Sequence, residues 1–316
     1  MLRVALIENP VSGQHSARRP EEIKEALAVL RAAGVTAEVF EAKARGDAGF
    51  FAHQAVIEGF DTVLACGGDG TVHEILQSLI GSPVALGVIP FGTANALAAN
   101  LGLVDSPAEV VRMLLGATPT RVPVGRIHYR DKDGNSSSRY FAVAAGVGAD
   151  ALLMARMDAR LKRRLGYVLY VAEAFHIWFT HSFPLFNAVF HEKDKSDPRE
   201  MWVSQLLAVR VRSFGGALQK LAPGATVRNG TLQVMAFKTQ SRLRFLKFFL
   251  AVLLRRHTFN GAIELVDVTN VECHVRNLPH EEIFVEADGE VLGELPVRME
   301  VVPDALTLLI PVGARP

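Results

Sequence analysis

The sequence predicts two domains, a parallel α/β domain followed by a mainly antiparallel β domain. The chain has 316 residues, which is more than one ordinary domain contains. Strand and helix patterns alternate through its first third, which is typical of a parallel sheet covered by helices on both faces. From about Arg121, short strand patterns separated by turns follow one another, which is typical of antiparallel sheets.

The first domain, residues 1–120, is predicted to be a doubly wound sheet. Apolar or alternating runs predict the strands Val4–Glu8, Val35–Glu41, Thr62–Ala65 and Val84–Ile89. Apolar residues at helical spacing predict the helices Glu21–Ala33, Ala48–Glu58, Val72–Ile80, Ala94–Asn100 and Pro107–Leu115. Gly34, Gly59 and Gly102 stand at or just after the ends of the first, second and fourth of these helices, and glycine commonly ends a helix.

The second domain, residues 121–302, is predicted to be rich in β structure, with a hinge near Thr118-Pro119 before it. The predicted strands are Val122–Tyr129, Tyr140–Ala145, Leu185–Phe190, Ser204–Arg212, Thr231–Phe237, Ile263–Val275, Glu282–Glu286 and Val297–Val301. Helical patterns interrupt them at Ala151–His181 and Arg242–Arg256. The C-terminal segment, residues 303–316, contains the apolar run Leu306–Pro311, which suits a strand that returns to the first domain.

Composition excludes several functional classes. The net charge of +1 gives no electrostatic footprint for nucleic acid. Two cysteines, Cys66 and Cys273, supply neither a disulfide framework nor a zinc spacing, and Cys66 is expected to be a small core residue. The N-terminus lacks the features of a signal peptide, and the most apolar runs, Tyr167–Phe179 and Leu243–Leu254, are too short to span a bilayer. We therefore expect a cytoplasmic protein.

A glycine-rich segment follows the third predicted strand. Gly67-Gly68-Asp69-Gly70-Thr71 lacks the Cβ atoms that would hold a backbone away from a polyphosphate. The next helix would point its N-terminus, with partial positive charge, at a ligand above the loop. Asp69 adds a carboxylate that could hold Mg²⁺. The alternative is a turn with a capping box formed by Thr71 and Glu74, but capping explains neither the three glycines nor the acid between them.

Two further unusual loops follow predicted strands. They are Asn9–Gly13, after the first strand, and Pro90–Asn95, after the fourth. In an open parallel sheet, ligands bind beyond the carboxyl ends of the strands. All three loops lie at that edge, so we expect them to converge on one ligand.

The motifs Asn-Pro-x-Ser-Gly (Asn9–Gly13), Gly-Gly-Asp-Gly-Thr (Gly67–Thr71) and Gly-Thr-Ala-Asn (Gly92–Asn95) together resemble the diacylglycerol kinase catalytic family. This family includes soluble bacterial lipid kinases and is related to the sphingosine and ceramide kinases. Later in the chain, Phe214-Gly215-Gly216 with Leu221-Ala222-Pro223, and Asp288-Gly289-Glu290, resemble motifs of its second domain. Gly-Gly-Asp-Gly alone is shared with NAD kinases and phosphofructokinases, whereas the full set is specific.

The resemblance implies a nucleotide-binding α/β domain and a β-sandwich-like lipid-binding domain, with the active site in the cleft between them. It further implies transfer of the γ-phosphate of ATP to a lipid hydroxyl with Mg²⁺, and Asp69 would hold the metal with the nucleotide. The residues that it assigns to nucleotide binding are Asn9, Pro10, Ser12, Gly13, Cys66, Gly67, Gly68, Asp69, Gly70, Thr71, Val72, Thr93 and Asn95.

The resemblance also assigns a catalytic role to Asp288 and Glu290, one of which would take the proton from the lipid hydroxyl. A carboxylate that orients the nucleophile suits phosphoryl transfer. The alternative is a simple hairpin, because Asp-Gly is a strong turn signal. The upstream motifs favour the catalytic interpretation, and the sequence leaves open which carboxylate is the base.

Some positions depart from the family pattern. Gln14 stands where relatives usually have a lysine, and Ala96 stands where many have an aspartate. Arg18 or Arg19 could reach the phosphates instead, or could be solvated surface charge. Several bacterial members carry a structural Mg²⁺ site at the position of Asn229, but Arg228 beside it opposes cation binding. We expect this second site to be absent.

The helical segment Arg242–His257 combines basic and aromatic residues. A helix of this kind can lie on an anionic membrane, as a peripheral lipid kinase requires, or can cover a domain core. The sequence does not separate these two interpretations, and it leaves open whether the chain forms a homodimer. Two rival functions remain: an NAD-kinase-like activity on a soluble hydroxyl substrate, and a regulator that binds nucleotide or lipid without catalysis. The carboxylates Asp69, Asp288 and Glu290 argue against a regulator.

Overall fold

The structure is a computed structural model, and it describes residues 1–13, 18–131, 133–156, 172–214, 221–253, 261–275 and 282–314. The chain divides into two compact units. Unit 1 comprises Met1–Val124, Ser213–Gly216 and Pro303–Pro316. Unit 2 comprises Gly125–Arg212 and Ala217–Val302.

Unit 1 is built on a parallel sheet. Its strands are β1 (Arg3–Glu8), β2 (Thr36–Glu41), β3 (Thr62–Gly67) and β4 (Ala85–Pro90), and the last part of β14 (Glu290–Ile310) joins them. The order across the sheet is β2-β1-β3-β4-β14, and every neighbouring pair is parallel. Strand β3 is buried along its whole length, as expected for a central strand covered on both faces.

Helices cover both faces of this sheet. They are α1 (Arg19–Ala32), α2 (Asp47–Ile57), α3 (Asp69–Leu79), α4 (Ala96–Asn100) and α5 (Pro107–Leu115). Across the sheet, the step from β1 to β2 runs in one direction, and the steps from β2 to β3 and from β3 to β4 run in the opposite direction. Because such crossovers are right-handed, α1 lies on one face, and α2 and α3 lie on the other. In agreement, α1 packs against α5 and α2 packs against α3.

The strand order also locates the ligand edge of unit 1. The direction of winding reverses between β1 and β3, and ligands of open α/β sheets bind at such a switch point, beyond the carboxyl ends of the strands. The loop after β1 and the glycine-rich segment after β3 flank this point. The doubly wound fold predicted from the sequence is therefore confirmed, with most element boundaries within two residues.

Unit 2 is built on antiparallel strands. They are β6 (Ser136–Phe141), β7 (Ala144–Val147), β8 (Phe186–Glu192), β9 (Arg199–Val203), β10 (Gln205–Val209), β11 (Leu232–Phe237), β12 (Ile263–His274) and β13 (Phe284–Ala287), together with parts of β5 (Thr118–Arg130) and β14. The strand order is β14-β13-β7-β10-β11-β12-β8-β9, and β14 also pairs with β12. This additional pairing closes the sheet on itself around an apolar core.

Three details of unit 2 differ from the sequence-based prediction. The predicted strand Tyr140–Ala145 is divided between β6 and β7, and strand β9 was not predicted. The predicted strand Val297–Val301 and the apolar tail belong to one 21-residue strand, β14. Local patterns miss its continuity because successive parts of β14 pair with different strands, so its buried face changes along its length.

The described helices of unit 2 are α6 (Ala149–Arg156), α7 (172–180) and α8 (Arg242–Leu253). The predicted helix Ala151–His181 corresponds to α6 and α7, and its middle part lies outside the described residues. No helix in the described part of the chain is both long enough and apolar enough to cross a bilayer.

Candidate functional site

The three glycine-containing loops of unit 1 meet at the switch point of the sheet. The backbone N–H of Asn9 donates to the Cys66 carbonyl at 3.0 Å, and its side-chain amide donates to the Thr71 hydroxyl at 3.1 Å. The backbone N–H of Phe91 donates to the Gly67 carbonyl at 2.9 Å. These bonds join the ends of β1, β3 and β4, so the predicted convergence of the loops is confirmed.

Glycine is required at several points where the loops approach one another. A Cβ on Gly92 would lie 2.5 Å from the Cα of Gly68. Gly13 has a φ of +69°, and a Cβ there would overlap the carbonyl oxygen of Phe91. The bare backbones can therefore pack to a distance that no side chain permits.

Helix α3 begins closer to the glycine loop than predicted. It starts at Asp69, so Asp69, Gly70 and Thr71 form its first turn rather than a preceding loop. Its N-cap is Gly68, and no side-chain cap is found there among the described residues. The capping box that was the alternative interpretation is not formed, because Thr71 lies in the first turn of α3 and not at its N-cap. The Thr71 hydroxyl accepts from Asn9. The uncapped, positive end of an 11-residue helix points at the ligand edge.

Asp69 connects the glycine loop to the loop after β4. One of its carboxylate oxygens accepts the backbone N–H of Ala96 at 2.7 Å, at the start of α4. The residue before Ala96, Asn95, adopts a left-handed conformation with φ of 48°. Its side chain accepts from the Gly92 N–H and donates to the Gly92 carbonyl, each at 2.8 Å. The loop geometry therefore depends on both side chains.

Arg19 is a structural residue of this site that the sequence did not assign correctly. Its side chain is buried, with 6% of its surface exposed, and it donates to the carbonyls of Asn9 and Pro10 at 3.2 and 2.9 Å. It also donates to the Ser12 hydroxyl at 3.0 Å and stacks on the Phe91 ring. Arg19 is therefore not the solvated charge that the sequence left open, because its guanidinium is buried and donates to the loop. A contact between Arg19 and phosphate stays a prediction.

The other predicted nucleotide-binding residues differ in their exposure. Cys66 and Val72 are buried, so their side chains belong to the core of unit 1. Burial raises the pKa of the Cys66 thiol strongly, as expected for an inert core cysteine. Gly70 and Thr93 are exposed at the ligand edge. His73, which follows Val72 in α3, is buried as well.

In unit 2, the predicted catalytic pair lies at a two-residue turn between β13 and β14. Asp288 and Gly289 have φ values of 48° and 84°, as expected for an Asp-Gly hairpin. The Asp288 carboxylate accepts the backbone N–H groups of Ala142, Val143 and Ala144 at 2.8 to 2.9 Å. The turn interpretation and the functional interpretation are therefore compatible, because the hairpin fixes Asp288 rigidly.

A second pair of carboxyl groups, which sequence reasoning missed, lies beside this turn. Glu286 of β13 is buried and accepts the Gly289 N–H at 2.7 Å. Both carboxylate oxygens of Asp150, at the start of α6, are shielded from solvent, and one lies against Gly146. Burial raises the pKa of Asp150 to about 7. Burial, and then the charges of Asp150 and Asp288, raise the pKa of Glu286 well above its ordinary value.

The loop that contains Asn229 is held by a buried cation of the protein. Arg210 is 1% exposed and donates to the carbonyls of Val227, Asn229 and Thr231 at 2.6 to 2.9 Å. Burial lowers its pKa to about 10, so it remains charged at neutral pH. This guanidinium adds to the electrostatic argument against Mg²⁺ at Asn229, and the absence of that site stays a prediction.

Several residues named in the sequence analysis lie outside the described part of the chain. They are Gln14, Gly215, Gly216 and the segment 254–257 of the basic helix.

Two protein-family models match the chain. The diacylglycerol kinase catalytic domain matches residues 3–127, and the YegS C-terminal NAD kinase beta sandwich-like domain matches residues 141–310. The chain belongs to the diacylglycerol kinase catalytic-domain family. Its N-terminal domain and its β-sandwich-like C-terminal domain are therefore those predicted from the sequence, and the chain is a member of a kinase family.

Relatives within the family are similar over nearly their whole length. A diacylglycerol kinase from Mycobacterium tuberculosis is 29% identical over 315 residues, which cover 98% of this chain and 95% of that protein. A protein from Chromohalobacter salexigens named probable lipid kinase YegS-like is 30% identical over 304 residues, covering 95% and 91% of the two chains.

Solved structures agree with the fold. A diacylglycerol kinase structure from Bacillus anthracis superposes with a TM-score of 0.71 at 19% identity, covering 99% of this chain and 98% of that chain. A yeast NADH kinase superposes with a TM-score of 0.51 at 10% identity, covering 98% and 83%. At these identities the likeness concerns the fold alone.

Proposed function

We propose that the protein is an ATP-dependent lipid kinase that transfers the γ-phosphate of ATP to the hydroxyl of a diacylglycerol-like lipid. The observation that carries this proposal is the uncapped N-terminus of α3, which lies where three glycine-containing loops meet and next to Asp69. A positive helix end with closely approaching backbone is suited to a polyphosphate. The family and its lipid kinase relatives supply the class of acceptor.

Unit 1 would bind the nucleotide. The N-terminal backbone of α3 and the exposed residues Gly70 and Thr93 would contact the phosphates, and the Asn9–Gly13 loop would contact the rest of ATP. Asp69 suits Mg²⁺ that arrives with the phosphates, because this ion commonly takes one or two carboxylates and keeps several waters. Among the described residues, no group of three or more His, Cys, Asp or Glu side chains could hold a metal. Bound Mg²⁺ would neutralise charge on the transferred phosphate.

Unit 2 would bind the lipid and supply the carboxylates that act on its hydroxyl. Because three backbone N–H groups fix Asp288, we propose that it orients the acceptor hydroxyl, and that Asp288 or Glu290 receives the proton. Glu290, two residues later at the start of β14, would assist it. Positioning accounts for most of the catalysis in phosphoryl transfer, so a rigid carboxylate suits this role.

The test measures transfer of labelled γ-phosphate from ATP, with Mg²⁺, to lipids in mixed micelles. The panel contains diacylglycerol, monoacylglycerol, sphingosine, ceramide and phosphatidylglycerol. We expect label on one lipid, and a loss of at least about a hundredfold in the Asp69→Asn variant. This substitution keeps an oxygen that can accept the Ala96 N–H, so it removes the charge with little change in the loop. The exposed Asp105→Asn is the matched control.

Transfer to NAD instead of a lipid would favour the NAD-kinase-like alternative. ATP binding without transfer to any acceptor would favour a non-catalytic regulator. Either result would overturn the proposed lipid kinase.

A further inference from the structure

Helices α7 and α8 of unit 2 expose an unusual number of apolar side chains. On α7, Phe175 and Phe179 are 58% and 69% exposed and lie one helical turn apart. On α8, Leu243 and Leu250 are 69% and 48% exposed and follow the same helical face. Exposed apolar residues that gather in one place commonly mark an interaction surface.

The two helices are connected through Trp178. Its indole N–H donates to the Arg242 carbonyl at 2.8 Å, at the start of α8. Its ring contacts both exposed phenylalanines, with centroid distances of 5.3 Å to Phe175 and 6.4 Å to Phe179. The Arg242 guanidinium in turn donates to the His181 carbonyl just after α7. The exposed aromatic residues of α7 and the N-terminus of α8 therefore form one continuous surface, which we call the α7–α8 surface.

The charge of this surface is positive. Helix α8 carries Arg242, Arg244 and Lys247 and contains no acidic residue, and all three basic residues are exposed. The acid on α7, Glu173, is engaged by Arg156 at 3.7 Å. An apolar surface with a basic rim matches the interface of an anionic membrane, where aromatic rings enter the headgroup region and cations meet lipid phosphates.

The inner face of α8 packs on the core of unit 2 through other residues than the exposed Leu243 and Leu250. Phe245 stacks between Phe183 and Phe237, with centroid distances of 4.3 and 5.1 Å, and Phe248 contacts Phe237 edge-on. One face of the helix is therefore already packed against unit 2. Val252 is buried as well, whereas the exposed Leu243 and Leu250 lie on the outer face of the helix.

We propose that the α7–α8 surface docks the protein on anionic lipid bilayers. Phe175, Phe179, Leu243 and Leu250 enter the headgroup region, and Arg244 and Lys247 bind lipid phosphates. The proposal rests on the proposed lipid kinase function and names the surface through which the protein would reach a substrate in the bilayer. It is tested without ATP, so its failure is distinguishable from failure of the proposed catalytic activity.

The experiment measures binding of the full chain to vesicles of phosphatidylcholine with 30% phosphatidylglycerol, and to vesicles of phosphatidylcholine alone, by sedimentation at low salt. We expect the Phe175→Ser/Phe179→Ser double variant to weaken binding to the anionic vesicles by at least about tenfold. We expect Arg244→Gln and Lys247→Gln to weaken it about fivefold each. The matched controls are Phe50→Ser, at a 65% exposed position on α2, and the exposed Arg31→Gln on α1, and both should bind normally.

Fluorescence gives an independent readout, because the chain has only two tryptophans, Trp178 and Trp202. In a Trp202→Phe background, brominated lipids should quench Trp178 in anionic vesicles. The proposal is overturned if the chain does not bind anionic vesicles, if the patch variants bind as well as the controls, or if Trp178 is not quenched. It is also overturned if the double variant only dissociates a dimer in sedimentation equilibrium, which would identify the surface as a contact between two copies of this chain.

Discussion

Arg19 shows how a buried cation can organise the loops at one edge of a parallel sheet. Its guanidinium bridges two backbone carbonyls and the Ser12 hydroxyl in one loop, and it stacks on Phe91 in another. A planar guanidinium with several donors can do this, whereas an ammonium group cannot make the same set of contacts. The Asn9–Gly13 loop is therefore held in shape before any ligand arrives.

We predict that Arg19→Lys raises the KM for ATP about tenfold and changes kcat by less than about threefold. The reason is that the Asn9–Gly13 loop loses its shape, whereas the reacting groups keep their positions. Steady-state kinetics with varied ATP would measure both constants. Arg31→Lys, an exposed substitution in the last turn of the same helix, is the control. An unchanged KM in the Arg19 variant would show that the loop keeps its shape without this residue.

Arg210 has a similar role in unit 2, where it binds three carbonyls of one loop. We predict that Arg210→Met lowers the free energy of unfolding by about 2–4 kcal/mol, because the substitution leaves the carbonyls of Val227, Asn229 and Thr231 without this donor. Urea unfolding would measure the loss. Arg228→Met, at an exposed position of the same loop, should change stability by less than about 0.5 kcal/mol.

The same experiment tests the expectation that no structural Mg²⁺ binds near Asn229. Wild-type stability should not change when Mg²⁺ is replaced by a chelator in the absence of nucleotide. A loss of stability on chelation would show that a metal site exists there in spite of the two arginines.

At the level of elements, the α6–β13 contact brings two buried carboxyl groups next to the hairpin that carries Asp288. The charged groups that act on Glu286 from the described neighbouring elements are Asp150 on α6 and Asp288 in the turn, while β7 offers a backbone N–H from Gly146. Because Asp150, Glu286 and Asp288 are all acidic, their negative charges repel one another. The folded state therefore favours a protonated carboxyl group in the buried pair Asp150 and Glu286.

This arrangement predicts that stability falls with rising pH. In the unfolded chain these carboxyls ionise near pH 4, whereas the pKa of Asp150 in the folded state is about 7 and that of Glu286 is also raised. Between these values the folded state binds more protons, so the free energy of unfolding decreases as the pH rises and stays low above the folded pKa. The expected loss is on the order of a few kcal/mol, since one pKa unit corresponds to about 1.4 kcal/mol.

Urea unfolding between pH 4 and pH 8.5 would measure this dependence. Asp150→Asn should flatten the profile and make the protein more stable than wild type above about pH 7.5. Asp133→Asn, at an exposed turn, should leave the profile unchanged. A wild-type profile that rises or is flat over this range would contradict a proton held by the buried pair.

For the whole molecule, the proposed function predicts linkage between ligand binding and stability. ATP with Mg²⁺ at a hundred times its Kd should add about 2.7 kcal/mol to the stability of the unit that binds it. Calorimetry should detect this as a rise of about 5–11 °C in the corresponding unfolding transition, because each kcal/mol shifts the midpoint of a unit of this size by about 2–4 °C. In Asp69→Asn, the effect of ATP alone should persist, and the additional effect of Mg²⁺ should disappear.

If ATP shifts neither transition in wild-type protein, the proposal that unit 1 binds the nucleotide is wrong. A shift with NAD that exceeds the shift with ATP would instead favour the NAD-kinase-like alternative.

Much of unit 1 could be predicted from the sequence because its signals are local. The alternation of strands and helices has a short period, and helix α5 was predicted with its observed boundaries. The glycine segments identified the loops that converge at one edge of the sheet, since glycine tolerates close backbone approach and positive φ that other residues do not. Their order along the chain was specific enough to suggest the family that the domain models then matched.

Other features depended on residues distant in sequence, so only the tertiary structure decided them. Whether Arg19 is solvated depends on Phe91, and whether Glu286 is charged depends on its burial and on Asp150 of helix α6. The Thr71 hydroxyl accepts from Asn9, which reaches it from the end of another strand. Burial and charge are set by what packs against a residue. Local periodicity therefore determined the elements and the edge at which a ligand would bind, and long-range packing determined the state of the side chains.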